Sequence, residues 1–213
     1  MKTPLWPFSN EEADPFQGDL WGVTPYLREG CMIMDVGANR GIFTSWCALN
    51  GAYVTAYEPH PKAFQSLLEV VKLNKIDHQV FPVEAAISTH TGVMKLDMST
   101  GSYFNSAQPS ERSLRNQDPE HNIFGVVVNC VSFTNAVGST FWDVVKMDVE
   151  GAEFPILLGC PDSVFDQISF LTVELHSRDD VVGPEHLQLK TRLNKHFHLV
   201  ESGTSLFASK TRI

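Results

Sequence analysis

Residues 144–153 read VVKMDVEGAE, an apolar run that breaks into three carboxylates and a glycine. Val144, Val145 and Met147 have the character of a buried strand. Asp148, Glu150 and Glu153 arrive where that strand must end. Open α/β sheets bind ligands outside the carboxyl ends of their strands, so acids there form a candidate site. A plainer reading gives the acids to the first turn of the next helix, where negative charge gains about 0.3–1 kcal/mol. That reading suits Glu153 best and Asp148 least. Glu153 is therefore expected to serve the helix it begins, and Glu150 to be a ligand or an orienting group. Pro155 requires that helix to start near Ala152, so that the proline falls in its first turn.

The segments before it alternate in the same way. Cys31–Val36 is a compact apolar run and predicts a buried strand. Ile42–Asn50 has helical spacing and stops at Gly51. Tyr53–Tyr57 predicts a second strand, and Pro61 opens a second helix with Phe64, Leu67, Leu68, Val71 and Leu73 on its buried face. Val80–Val83 predicts a third strand. Strand–helix–strand–helix–strand implies a parallel sheet in an α/β fold. Strands are also expected at 93–98 and 126–131, which could pair, and at 168–175. A helix is expected over 185–195, then a closing antiparallel pair at 197–200 and 205–209. Residues 1–29 read as an amino-terminal arm and a short helix over 19–29. Residues 99–121 read as a polar loop or lid, flanked by Tyr103, Phe104 and Phe124, because so long a stretch without structure is usually functional or disordered. With no linker visible, 1–213 is expected to be one domain.

The net charge of −9 argues against a sequence-independent nucleic-acid binder and against an anionic membrane surface. The Lys and Arg residues at 111–115 and 190–195 read as solvated faces. Four cysteines without metal spacing are expected to be buried thiols, which suits a reducing, cytoplasmic setting. No signal peptide is evident, and no run approaches the ~18 apolar residues of a membrane helix.

Residues 33–41 read IMDVGANRG, a strand running into a glycine loop and a helix. Gly37 allows a sharp turn and the approach of a ligand, and Gly41 allows close packing where the helix begins. Glu58 ends the second strand, where an acid can accept hydrogen bonds from ribose hydroxyls. Dinucleotide enzymes favour G-x-G-x-x-G, but this loop is D-x-G-x-x-x-G. Asp35 would repel a pyrophosphate, whereas it would favour the ammonium of a methionine moiety. S-adenosylmethionine therefore fits better than NAD. Glu84 and Ala85 could meet the adenine with a carboxylate and a backbone N–H.

Together, DVGANRG at 35–41, YEP at 57–59, AAIS at 85–88 with Gly92, VKMDVEGAE at 145–153 and VELH at 173–176 resemble the FkbM family of S-adenosylmethionine-dependent methyltransferases. Order and spacing agree over residues 30–176. The resemblance implies the class I methyltransferase fold. This is a Rossmann-like three-layer sandwich on a seven-stranded, mostly parallel sheet of order 3-2-1-4-5-7-6, with an antiparallel closing strand. It implies cofactor contacts from Asp35, Gly37, Ala38, Asn39, Gly41, Glu58, Pro59, Glu84, Ala85 and Asp148. It also implies methyl transfer, usually to a hydroxyl of a small molecule or glycan. Pro155 departs from the family pattern, at a place where the helix tolerates it.

An aliphatic hydroxyl needs a base or a metal to become a nucleophile. Asp148 is the first candidate, with Glu174 and His176 on one side of the neighbouring strand end. In one version Asp148 or His176 is the base and Glu150 and Glu174 orient it. In the other, Asp148, Glu150 and Glu174 or His176 hold Mg²⁺ or Mn²⁺. The metal-free version is preferred. The remaining histidines, His60 among them, read as solvated or locally bonded. The rival readings are a nucleic-acid or cap 2′-O methyltransferase, a non-catalytic binding module, and an NAD-dependent oxidoreductase.

Overall fold

The apolar runs lie side by side in one sheet. The structure is a computed structural model, described here over residues 2–6, 21–97, 125–176 and 183–211. In chain order the strands are β1 (Met32–Val36), β2 (Tyr53–Tyr57), β3 (Val80–Val83), β4 (Ala86–Ser88), β5 (Gly92–Asp97), β6 (Gly125–Ser132), β7 (Trp142–Met147), β8 (Ile168–Glu174), β9 (His198–Ser202) and β10 (Ser205–Ser209). The helices are α1 (Ile42–Leu49), α2 (Pro61–Asn74), α3 (Phe133–Val137), α4 (Glu153–Gly159), α5 (Ser163–Asp166) and α6 (Pro184–Leu193). The main sheet has the order β3-β2-β1-β7-β8-β10-β9, as expected, with β10 antiparallel to both neighbours.

Alternation sorts the sheet's side chains into two layers. Ile33, Val54, Val144 and Phe170 face α1 and α2 in one core. Met34, Val36, Val145, Met147, Leu171 and Val173 join α3 to α6 in the other. The register sets Asp35 opposite Lys146 and Lys146 opposite Thr172. A lysine and an aspartate thus stand abreast in the middle of the sheet, on the α1 side. The expected pairing of the 93–98 and 126–131 segments is the antiparallel β5–β6 pair, to which β4 adds in parallel as a small second sheet.

Several local expectations are corrected. Within 19–29 the described residues form only a 3₁₀ turn, Thr24–Tyr26. Gly22, at φ 64°, and Pro25 inside the turn explain why no helix runs through. On α2, Leu73 is exposed, and Ala63 and Val70 take the buried positions instead. Arg192 is not a solvated cation. Its guanidinium binds Asp162 and the carbonyls of Leu157, Leu158 and Cys160, closing the end of α4. Pro155 is the third residue of α4, as expected. The four cysteines are buried thiols, with no disulfide among the described residues. Among the described residues no helix is long and apolar enough to cross a membrane. The expected loop at 99–121, the basic run at 111–115, and Tyr103, Phe104 and Phe124 lie outside the described residues.

Candidate functional site

The glycine loop is pinned between two strand ends. The N–H groups of Gly37 and Ala38 donate to the Tyr57 carbonyl at 3.0 and 2.9 Å, and Asp148 N–H donates to Val36 O at 3.0 Å. Gly37 has φ 78°, and a Cβ there would lie 1.8 Å from the carbonyl oxygen of Asp148. The left-handed φ bears out the expected sharp turn, and the close Asp148 carbonyl is a further reason for glycine that the sequence did not show. Gly41, at φ 87°, matches expectation: a Cβ would lie 2.5 Å from Leu67 Cδ1, so its absence lets α1 and α2 close up.

Behind this loop lies a cavity. Gly37 and Asn39 line it from the loop, and Tyr57, Glu58, Pro59 and His60 from the end of β2. Ala86, Ile87 and Leu96 of the small sheet supply an apolar wall. Asp148, Val149, Glu150 and Ala152 close it from the end of β7. Glu58 is 6% exposed. Its Oε2 accepts from Asn39 N–H and its Oε1 from His60 N–H, both at 2.7 Å. Burial pushes its pKa up to about 7, against the lowering effect of those two amides. The Oδ1 of Asn39 is buried with no hydrogen-bond partner among the described residues. His60 caps α2, its Nδ1 accepting from Lys62 and Ala63 N–H, so the expectation of local bonding holds. Its place on the cavity wall was not foreseen. Glu84 is exposed and outside the lining, and Ala85 is buried beside it.

Beneath the loop, Asp35 is fully buried. It accepts from Thr44 Oγ1 at 2.6 Å and stands 3.4 Å from Lys146 Nζ. Lys146 donates to the Gly37 carbonyl at 2.8 Å and lies 3.4 Å from Asp148 Oδ2. Burial opposes its charge, but Asp35 and Asp148 outweigh that and hold its pKa above the usual lysine value. The sequence reading missed this residue. The signal was there: a lysine between Val145 and Met147, in a strand buried on both faces.

On the other side of Asp148 the second cluster opens toward solvent. The Nδ1–H of His176 donates to Glu153 Oε1 at 2.9 Å. Its Nε2 lies 3.5 Å from Glu150 Oε2 and 4.0 Å from both Asp148 Oδ1 and Glu174 Oε1. Asp148, Glu174 and His176 thus converge as expected, with donor atoms all within 4.8 Å of one another. That spacing could also seat a divalent cation. Burial opposes charge on His176, but the Glu153 hydrogen bond and the charges of Glu153, Glu150 and Asp148 raise its pKa to about 9. Burial raises the carboxyls of Glu150 and Glu174, and His176 works against that. Glu153 departs from expectation. It is fully buried, and its carboxylate turns back to the N–H groups of Val149 and Gly151 instead of serving only its helix.

Comparison with known proteins gives a consistent picture. Residues 35–198 match the family model described as the methyltransferase FkbM domain. The 31-O-demethyl-FK506 methyltransferase FkbM of Streptomyces tacrolimicus is 26% identical over 185 residues, covering 74% of this chain and 70% of that protein. The hexuronic acid methyltransferase AglP of Haloferax volcanii is 26% identical over 155 residues, covering 71% of this chain and 59% of that protein. The crystal structure of methyltransferase FkbM from Methylobacillus flagellatus shares the fold with a TM-score of 0.57 at 14% identity. That match covers 89% of this chain but only 46% of the other. A family match over most of the chain, on the strand order and strand-end motifs described above, makes this protein a member of the FkbM methyltransferase domain family.

Proposed function

We propose that this chain is an S-adenosylmethionine-dependent O-methyltransferase acting on a hydroxyl of a small molecule or glycan. The observation that carries the reading is one cavity shared by the glycine loop, Glu58 and the acidic end of β7. The residues fit the cofactor. Each Glu58 oxygen has spent one lone pair on an amide and keeps another for a ribose hydroxyl. The buried Asn39 Oδ1 needs a donor that the described residues do not supply. Ala86, Ile87 and Leu96 offer the apolar surface an adenine ring requires. The curated relatives, named for a 31-O-demethylated compound and a hexuronic acid, support the acceptor class.

When bound, S-adenosylmethionine supplies a methyl group whose carbon–sulfur bond breaks, with its electrons left on sulfur, as the acceptor oxygen bonds the carbon. Asp148 stands at the cavity wall and takes the hydroxyl proton as general base. His176 already holds a proton at neutral pH, because its acids raise it to about 9, so it is a donor of the site and not its base. Glu150 and Glu174 face its Nε2 and orient it. The activation lies in the sulfonium, so this reading needs no metal, and four buried cysteine thiols suit a reducing compartment.

The test is transfer of an isotopically labelled methyl group to a panel of neutral glycosides, uronates and macrocyclic alcohols. Product is expected with at least one acceptor class, and it should persist after exhaustive chelation. Label on nitrogen or carbon would overturn the O-methyl assignment. Loss of transfer on chelation would replace the metal-free version with the metal one.

A further inference from the structure

We infer that Glu153 is a positioning residue of the transfer site, fixing from below both the ring of His176 and the turn that carries Asp148 and Glu150. The inference rests on the methyl-transfer reading for its purpose, but its geometry stands independently.

A glutamate that opens a helix normally stays in solvent, where it serves the helix at no cost. Glu153 opens α4, yet it is fully buried. A buried carboxylate persists only when it is thoroughly satisfied. This one is: Oε1 accepts from Val149 N–H at 3.0 Å, from Gly151 N–H at 3.2 Å and from His176 Nδ1 at 2.9 Å, while Oε2 accepts from Gly151 N–H at 3.0 Å. The turn it holds is strained. Glu150 has φ 53° and Gly151 φ 102°, two successive left-handed residues of which the first has a Cβ. That conformation points the two amides inward at one carboxylate, and the hydrogen bonds hold it in place.

The same carboxylate settles which edge of His176 faces the site. A carboxylate can only accept, so Nδ1 carries a proton and turns inward. Nε2 is then left among Asp148, Glu150 and Glu174 at 3.5–4.0 Å. Without Glu153 the ring keeps only its 3.5–4.0 Å contacts at Nε2, and the left-handed turn loses its acceptor. Glu153 does not line the cavity, so it acts through His176 and the turn, not on the acceptor. Its distance in sequence from His176 hides the pairing from any local reading.

The test compares wild type with Glu153→Gln, using His176→Asn to assign the histidine signal. In wild type at neutral pH, nuclear magnetic resonance should show a His176 ring N–H proton shifted downfield and protected from exchange. In Glu153→Gln that signal should lose its shift and protection. Turnover should fall about a hundredfold, as misplacement of a reacting group by about an ångström costs. Acceptor KM and affinity for S-adenosylhomocysteine should stay within about threefold of wild type. Wild-type turnover, or an unchanged His176 signal in the variant, overturns the inference. So does a loss of turnover that only tracks lost S-adenosylhomocysteine binding, which would mark a merely structural role. Should Glu153→Gln not fold, the wild-type spectrum decides alone: an unshifted, freely exchanging Nδ1 proton overturns it. If wild type methylates no acceptor while the His176 signal behaves as described, the methyl-transfer reading fails and the positioning geometry survives.

Discussion

Asp148 stands between two cations in two very different settings. Lys146 lies 3.4 Å from one carboxylate oxygen in a dry layer under the glycine loop, its side chain 6% exposed. His176 lies 4.0 Å from the other oxygen, in a cluster whose side chains are 26–43% exposed apart from the buried Glu153. The dry cluster holds backbone: Lys146 ties the Gly37 carbonyl and Asp35 ties α1 through Thr44. In the open cluster Asp148 and Glu150 line the cavity, and His176 and Glu174 stand beside them outside the lining. Buried charges are costly to unpair and so fix architecture. Half-exposed ones can exchange protons with what binds, and so can do chemistry.

The largest effect tests the residue shared by both. Asp148→Asn keeps the shape but removes the proposed base, so turnover should fall by about 10²–10⁴-fold. S-adenosylhomocysteine binding should change only a few-fold. Near-normal turnover would move the base elsewhere in the open cluster. On the dry side, Lys146→Met leaves the fully buried Asp35 without its cation, and should lower unfolding free energy by about 3–5 kcal/mol. Urea denaturation reads this directly, and adding Asp35→Asn should recover part of the loss. If Lys146→Met unfolds like wild type, the dry cluster is not the scaffold described. The smallest effect belongs to His176. Its folded pKa of about 9 lies above its ordinary 6.5. The stabilisation is therefore complete below about pH 6.5 and is lost as pH rises through 9. Wild type should exceed His176→Gln in urea midpoint at low pH, and the gap should close at high pH. A gap that widens with pH would reverse the assigned charge.

Long apolar runs between turn residues disclosed the main-sheet strands and α1 and α2, because their periodicity is local. The DVGANRG and DVEGAE segments disclosed the two halves of the candidate site for the same reason: each is a strand end followed by a short turn into a helix. What escaped depends on partners far along the chain. Lys146 is legible as a buried ion only once Asp35 is known to stand beside it, and Glu153 only once His176 is seen above it. The sharp turn at Gly37 was legible, but the second demand on it was not, because the carbonyl of Asp148 that a Cβ would strike is over a hundred residues away. The short elements β4, α3 and α5 are too brief to carry a period, and α3 rests on a Ser132 cap and the burial of Phe133 and Val137.

The central claim is that one cavity joins the glycine loop and Glu58 to the acidic end of β7 and holds S-adenosylmethionine. Calorimetric titration of S-adenosylhomocysteine into wild type and Glu58→Gln tests it most directly. Wild type should bind saturably at one site. The variant should bind about tenfold more weakly, since a hydrogen bond to a charged acceptor is worth about 1.5 kcal/mol. No binding to wild type at millimolar ligand, or equal binding by the two proteins, would contradict the account.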